Sequence, residues 1–188
     1  MNLFRTLSGF TLFGLAGTAL SGCLQAPDYP VVPAIDYNRV EVNHIPAGIE
    51  DAVDELTFVL DFRDGDGDLG LSLEDLATAP YNTKTGGHNN LGLGHNYFIQ
   101  PYKKVNGIWT QYIVPGSFKG EYDSYFPRLD AADTKPAPLK GELRYKLPIS
   151  LGGSPYAPGQ VFRFEISILD RALNESNTIT TGEITLGR

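Results

Sequence analysis

Glu55-Leu56-Thr57-Phe58-Val59-Leu60-Asp61-Phe62, followed without a break by Arg63-Asp64-Gly65-Asp66-Gly67-Asp68-Leu69-Gly70, sets the reading of the whole chain. In the first half Leu56, Phe58, Leu60 and Phe62 recur at every second position, which places four large apolar side chains on one face of a β-strand. Glu55, Thr57 and Asp61, with Val59 among them, fall on the other face. In the second half the alternation stops, and three aspartates stand at alternate positions with glycines between them. Like charges so close together repel, at a cost that grows as the local dielectric falls. A hard cation removes that cost, and closely spaced carboxylates on a pliable backbone are ligands that calcium accepts. Glycine supplies the tight turns that wrapping an ion requires.

Asp64, Asp66 and Asp68 are therefore the expected Ca2+ ligands, with Asp61 and Asp75 as weaker ones that need the loop to fold back. The spacing matches positions one, three and five of an EF-hand loop. Leu69, however, stands where that loop has glycine at position six, and Asp75 where it has glutamate at twelve. A strand, not a helix, precedes it. The other reading of the same residues is a solvated acidic turn that keeps a strand end soluble.

Outward from this stretch the chain reads as further strands: residues 36–44, 96–105, 108–114, 139–151, 160–170 and 178–186, with a short one within 116–127. Asn106-Gly107 between two β-prone runs is a strong hairpin signal. Leu143, Tyr145, Leu147 and Ile149 alternate with Glu142, Arg144 and Lys146, and Pro148 marks that strand as an edge. Phe162, Phe164, Ile166 and Ile168 form a second inward row. In the last strand Ile179 and the pair Ile184, Leu186 lie on opposite parities, which predicts a bulge near Gly182. Ser72 and Asp75 have the spacing of a capping box, so one helical turn is expected there. With 21 glycines, 13 prolines and almost no helix, the expectation is an all-β antiparallel sandwich of two sheets, immunoglobulin- or fibronectin-III-like, with about seven or eight strands. A small closed barrel is the alternative.

Tyr97, Tyr102, Trp109 and Tyr112 make the hairpin aromatic. Trp109, Tyr102 and Tyr112 are candidates for a ligand-facing platform, for instance for a sugar. Core packing and cross-strand pairing account for the same pattern. His88 and His95, in or beside a polar loop over residues 78–93, have no second close histidine or cysteine to make a metal site. No nucleophile elbow, zinc-hydrolase helix or Walker loop occurs, and the acidic residues are crowded into one loop where a cation explains them better than an acid–base pair. The chain reads as non-catalytic.

At 188 residues and 41% hydrophobic composition, the length suits one core. The formal charge of −7, with no basic cluster, argues against nucleic acid as a partner. Residues 1–22 have the form of a secretory leader, with Arg5 and then an apolar stretch over 10–20 that is too short to span a bilayer. Leu20-Ser21-Gly22-Cys23 looks like the lipobox of bacterial lipoproteins, which makes Cys23 the expected site of acylation and the lipid membrane a partner through its acyl chains. Residues 23–35, with Pro27, Pro30 and Pro33, read as an extended tether, and 36–188 as a single β domain.

Two stretches carry a further likeness. Phe62 to Gly70 resembles the acidic loop after an early strand in lipoproteins of the Bacteroidetes type. Phe164-Glu165-Ile166-Ser167-Ile168-Leu169-Asp170-Arg171-Ala172-Leu173-Asn174-Glu175-Ser176-Asn177, running on to Thr181, resembles the last hairpin of the immunoglobulin-like domain in the same proteins, with Leu173 where that turn usually has glycine. The resemblance implies a β-sandwich held to the cell envelope, with the outer membrane as the expected location since Leu24 follows the cysteine. It implies no activity. The expected function is a binding or structural module of the envelope, partnered by an envelope protein or a glycan. A glycan-binding accessory lipoprotein of a polysaccharide-uptake system is the alternative.

Overall fold

A computed structural model describes residues 27–82, 94–130 and 135–188. The leader, Cys23, His88 and most of the 78–93 loop lie outside these. The described chain forms two antiparallel sheets. The first has the order β1-β2-β5, made of Ala34–Ile45, Val53–Asp64 and Leu139–Ser150. The second has the order β4-β3-β6-β7, made of Ile108–Gln111, Tyr97–Val105, Val161–Ile168 and Ile179–Thr180, with β8 (Ile184–Thr185) also paired to β6. First, second and fifth strands facing fourth, third, sixth and seventh is the immunoglobulin-type division of a sandwich. Neither sheet closes into a barrel.

The inward rows read from the sequence make the core. Leu56, Phe58 and Leu60 of β2 and Phe162, Phe164, Ile166 and Ile168 of β6 are fully buried or nearly so. The two rows meet through the Phe58 and Phe164 rings, whose centroids are 4.9 Å apart edge-to-face. Tyr97 of β3 stacks on Tyr145 of β5 at 4.7 Å. Each such ring contributes about 1.5–3 kcal/mol by leaving water.

The outer face of the first sheet is polar. Arg39, Glu41, Glu142 and Arg144 form a ladder of ion pairs across it, and these contribute little individually because water screens them. Pro148 lies on β5, an edge strand, as its lack of an N–H requires. Asn106 and Gly107 both have positive φ, 51° and 81°, as the tight two-residue hairpin turn demands. The last strand is interrupted: pairing with β6 slips by one residue between Thr180 and Ile184, the bulge expected near Gly182.

Three expectations need correction. Residues 116–127 form no continuous strand; Ser124 and Pro127 make only single bridges, to Tyr97 and Leu71. The strand after the hairpin ends at Gln111, because Tyr112 turns into the core against Tyr156 and Phe162. The tether is shorter than its proline spacing suggests, since β1 already begins at Ala34 and Ile35 is buried.

Candidate metal centre

The Asp loop leaves the end of β2 and is gripped from three sides. Gly65 N–H donates to the Pro30 carbonyl at 2.9 Å, and the Asp66 carbonyl accepts from Ala137 N–H at 3.1 Å. Leu129 N–H donates to the Leu69 carbonyl, and Arg171 N–H to the Asp68 carbonyl. The approach is so close that a methyl group at Gly65 would overlap the Tyr29 carbonyl oxygen. Beyond the loop, Ser72 caps the short helix α1 (Leu73–Ala77) in the expected capping box with Asp75.

This packing gathers carboxylates. Asp64, Asp68 and Asp170 each offer an oxygen within 4.8 Å of the others'. Asp64 and Asp170 are fully buried. Both oxygens of Asp64, one of Asp66 and one of Asp68 are buried with no donor in good hydrogen-bond geometry; the Asp68 backbone N–H approaches Asp64 and only partly offsets its burial. Asp68 uses its other oxygen to accept from Ala172 N–H at 3.0 Å. Asp170 is held by Asn174, whose backbone N–H and side-chain amide donate to its two oxygens at 2.7 and 2.8 Å. An ionised carboxylate buried without a donor or counter-charge costs several kcal/mol. Such a group either takes up a proton or faces a cation.

The electrostatics express the same conflict. Burial first, then the charges of Asp66, Asp68 and Asp170, push Asp64 up to about 7. Burial and the charge of Asp170 push Asp68 up to about 6. Asp170 is raised as well, chiefly by burial, with Asn174 opposing. In the unfolded chain these groups ionise near pH 3.9. Between about pH 4 and 7 the metal-free folded state therefore holds protons that the unfolded state releases, and its stability falls as pH rises through that window. Urea unfolding in chelator should show a loss of about 2 kcal/mol from pH 4 to pH 8, roughly half of what the Asp64 shift alone converts to because water at the half-buried Asp66 and Asp68 screens the charges. Saturating calcium should flatten the slope. A stability that rises across this window would contradict the arrangement.

Of the five expected ligands, Asp64 and Asp68 come together, joined by Asp170; Asp66 stands near enough for its charge to add to burial in raising Asp64 and has one buried oxygen without a donor, but it is not part of that group. Asp61 and Asp75 do not join it. Asp61 is exposed on the outer face of β2 and accepts from the Asn38 amide at 3.0 Å. Asp75 is occupied by the Ser72 N–H and hydroxyl, both at 2.8 Å. Asp170 was not expected, yet a signal for it exists. It continues the inward row Phe162, Phe164, Ile166, Ile168 by two residues, just as Asp64 continues Leu56, Phe58, Leu60, Phe62. Two facing strands that each end an apolar row on aspartate bring those aspartates together at the same end of the core.

Beside the cluster lies a cleft of about 200 Å³, whose lining combines the acidic Asp66, Asp68 and Asp130 with the basic Arg128, Lys135 and Arg171. Arg128 and Arg171 both bind Asp130, at 2.6 and 2.9 Å, and hold its carboxyl down at about 2, Arg128 having the larger effect. Arg171 also donates to the Leu69 and Gly70 carbonyls, which ties its guanidinium to the Asp loop.

The three aromatic candidates part company. Tyr112 is half-buried against the core, and its hydroxyl donates to the Pro155 carbonyl at 2.8 Å. Trp109 and Tyr102 lie on the outer face of the second sheet, where the Arg163 guanidinium stands 4.6 Å from the Trp109 ring centroid and 5.7 Å from that of Tyr102. Lys104 is also 5.3 Å from the Trp109 ring. A sugar stacking on Trp109 would have to displace these cations. No protein family, curated protein or solved structure matches the chain. Among the described residues no helix is long and apolar enough to cross a membrane.

Proposed function

We propose that this chain is an envelope lipoprotein, anchored through acylated Cys23, whose β-sandwich is a non-catalytic binding or structural module built around a calcium ion held by Asp64, Asp66, Asp68 and Asp170. The observation that carries the reading is Asp64: fully buried, with both oxygens lacking a donor in good hydrogen-bond geometry, and facing two more carboxylates. The donor set is all oxygen, which selects hard cations over zinc or copper. Calcium suits it better than magnesium, because four carboxylates from two segments give a crowded, irregular shell, whereas magnesium demands a near-ideal octahedron and keeps its water.

Calorimetric titration of the purified protein tests this. Calcium is expected to bind one site with a Kd in the micromolar range and to outcompete magnesium. Absence of calcium binding below about 1 mM would remove the ion, and with it the feature among the described residues on which a ligand is argued. Anchoring is tested separately: metabolic labelling with a fatty acid should mark the wild-type chain and not Cys23→Ser.

A further inference from the structure

We propose that the outer face of the second sheet binds an acidic sugar, a uronate, whose carboxylate is taken by Arg163 and whose hydroxyls enter the adjoining polar cleft. This goes beyond the calcium reading above and does not depend on it.

Register brings the parts together. Arg163 of β6 lies opposite Tyr102 of β3, and Lys104 of β3 opposite Trp109 of β4. These four share the outward parity of their strands, since Phe162, Phe164 and Ile166 take the inward one. The Arg163 guanidinium rests on two rings, 4.6 Å from the Trp109 centroid and 5.7 Å from that of Tyr102. Both contacts hold a long side chain in place.

Partnering sets Arg163 apart. With 22 acidic against 15 basic side chains, carboxylates are plentiful, and Arg39, Arg63, Arg128, Arg144 and Arg171 each have one within ion-pair distance. Arg163 has none among the described residues, and its Nε is buried with no acceptor. The acids of this face are already engaged: Glu183 by Lys104 at 2.7 Å, and Glu165 by the Tyr102 hydroxyl. A donor removed from water without an acceptor is costly. A carboxylate brought from outside satisfies the guanidinium with charge-assisted hydrogen bonds and leaves it on its rings.

The neighbouring cleft selects the rest of the ligand. Tyr102 and Glu165 also line a cleft of about 110 Å³, together with Gln100, Gln111, Lys119 and Ser167. The Gln111 amide donates to that of Gln100 at 2.7 Å, which fixes the pair. One carboxylate and one ammonium leave this lining without net charge, so it suits hydroxyls and not a second anion. A sugar acid carries one carboxylate beside several hydroxyls, whereas a phosphate or an acidic peptide supplies only the charge. The volume is well below the range of about 300–1,000 Å³ that encloses a whole drug-sized molecule, so the cleft holds part of a ring and any longer glycan continues along the sheet.

Trp109 is the only tryptophan of the chain, so its emission reads this face directly. The full chain, stripped of calcium and dialysed free of chelator, is titrated at constant ionic strength with galacturonate, galactose, acetate, methyl phosphate and a tetra-aspartate peptide. Galacturonate should change the emission saturably and bind at least about tenfold more tightly than any of the others. Arg163→Gln should weaken it about tenfold, and Arg163→Lys should not restore it, because an ammonium lacks the planar fork. Gln111→Ala, at an exposed position, leaves the arginine on its rings and should cost several-fold, which keeps the test open if the Arg163 variants do not fold. Equal or tighter binding of methyl phosphate or the peptide would assign the face to bare anions, and equal binding of galactose would remove the charge from recognition. An unchanged emission, or an Arg163→Gln protein that binds like the wild type, would make Arg163 a packing residue. Each of these results overturns the proposal, and none of them bears on the calcium site, since the ion is absent throughout.

Discussion

Asp64→Asn is expected to make the calcium-free protein more stable and to abolish its response to calcium. Most aspartate substitutions in a buried site do the reverse, since they break a hydrogen bond or an ion pair. Asp64 has no ion pair and no donor in good hydrogen-bond geometry; only the Asp68 backbone N–H approaches it, and its charge faces Asp66, Asp68 and Asp170. An amide of the same shape removes one like charge and brings two N–H donors to neighbouring carboxylates. At pH 8 in chelator this should add about 1–2 kcal/mol. The wild-type protein should gain about 2.7 kcal/mol when calcium is at a hundred times its Kd, and the variant should gain nothing. Urea unfolding of both proteins with and without calcium gives the four values. A variant that loses stability in chelator, or keeps the calcium increment, would show that Asp64 is an ordinary structural carboxylate.

Gly70→Ala is expected to be the most damaging methyl that can be added to the loop. Gly70 has φ of 87°, and a Cβ there would overlap the Pro127 carbonyl oxygen and press on the Arg128 backbone. The left-handed conformation costs a non-glycine residue about 1–2 kcal/mol, and a displaced backbone adds to it, for a total of about 3 kcal/mol. For a domain of this size that lowers Tm by roughly 6–12 °C. Gly107 is the internal control. Its φ is 81°, but nothing lies within 4 Å of where its Cβ would be, so Gly107→Ala should cost only the conformational part. Equal losses in the two variants would mean that the segment at Pro127 does not grip the loop.

The fold was legible because its signals are local. Alternation in 55–62, 139–151 and 160–170 names the buried face of three strands, and Asn106-Gly107 joins two more. Residues 116–127 misled because Phe118, Tyr122, Tyr125 and Phe126 are β-prone in composition, while their actual constraint is long-range. Phe126 N–H, for instance, donates to the Asn96 side chain, and composition carries no trace of that bond. The site was half legible for the same reason. Asp64, Asp66 and Asp68 announce themselves by spacing along the chain. Asp170 meets them only through the stacking of two sheets, and its partner Asn174 and neighbour Arg171 read locally as part of a turn. That turn contains Leu173 at φ 68°, in the left-handed region that favours glycine. Asp61 and Asp75 were overestimated because proximity in sequence says nothing of parity: Asp61 falls on the outward face of β2, and Asp75 is consumed by its own helix cap.

The bond from Gly65 N–H to the Pro30 carbonyl has a mechanical meaning. Tension arriving along the amino-terminal segment reaches this bond four residues before the first rung of the sheet at Ala34. The strain is therefore handed first to the carboxylate loop and only afterwards to the β-ladders. Whatever stiffens or slackens that loop also sets how load on the amino-terminal segment passes into the domain.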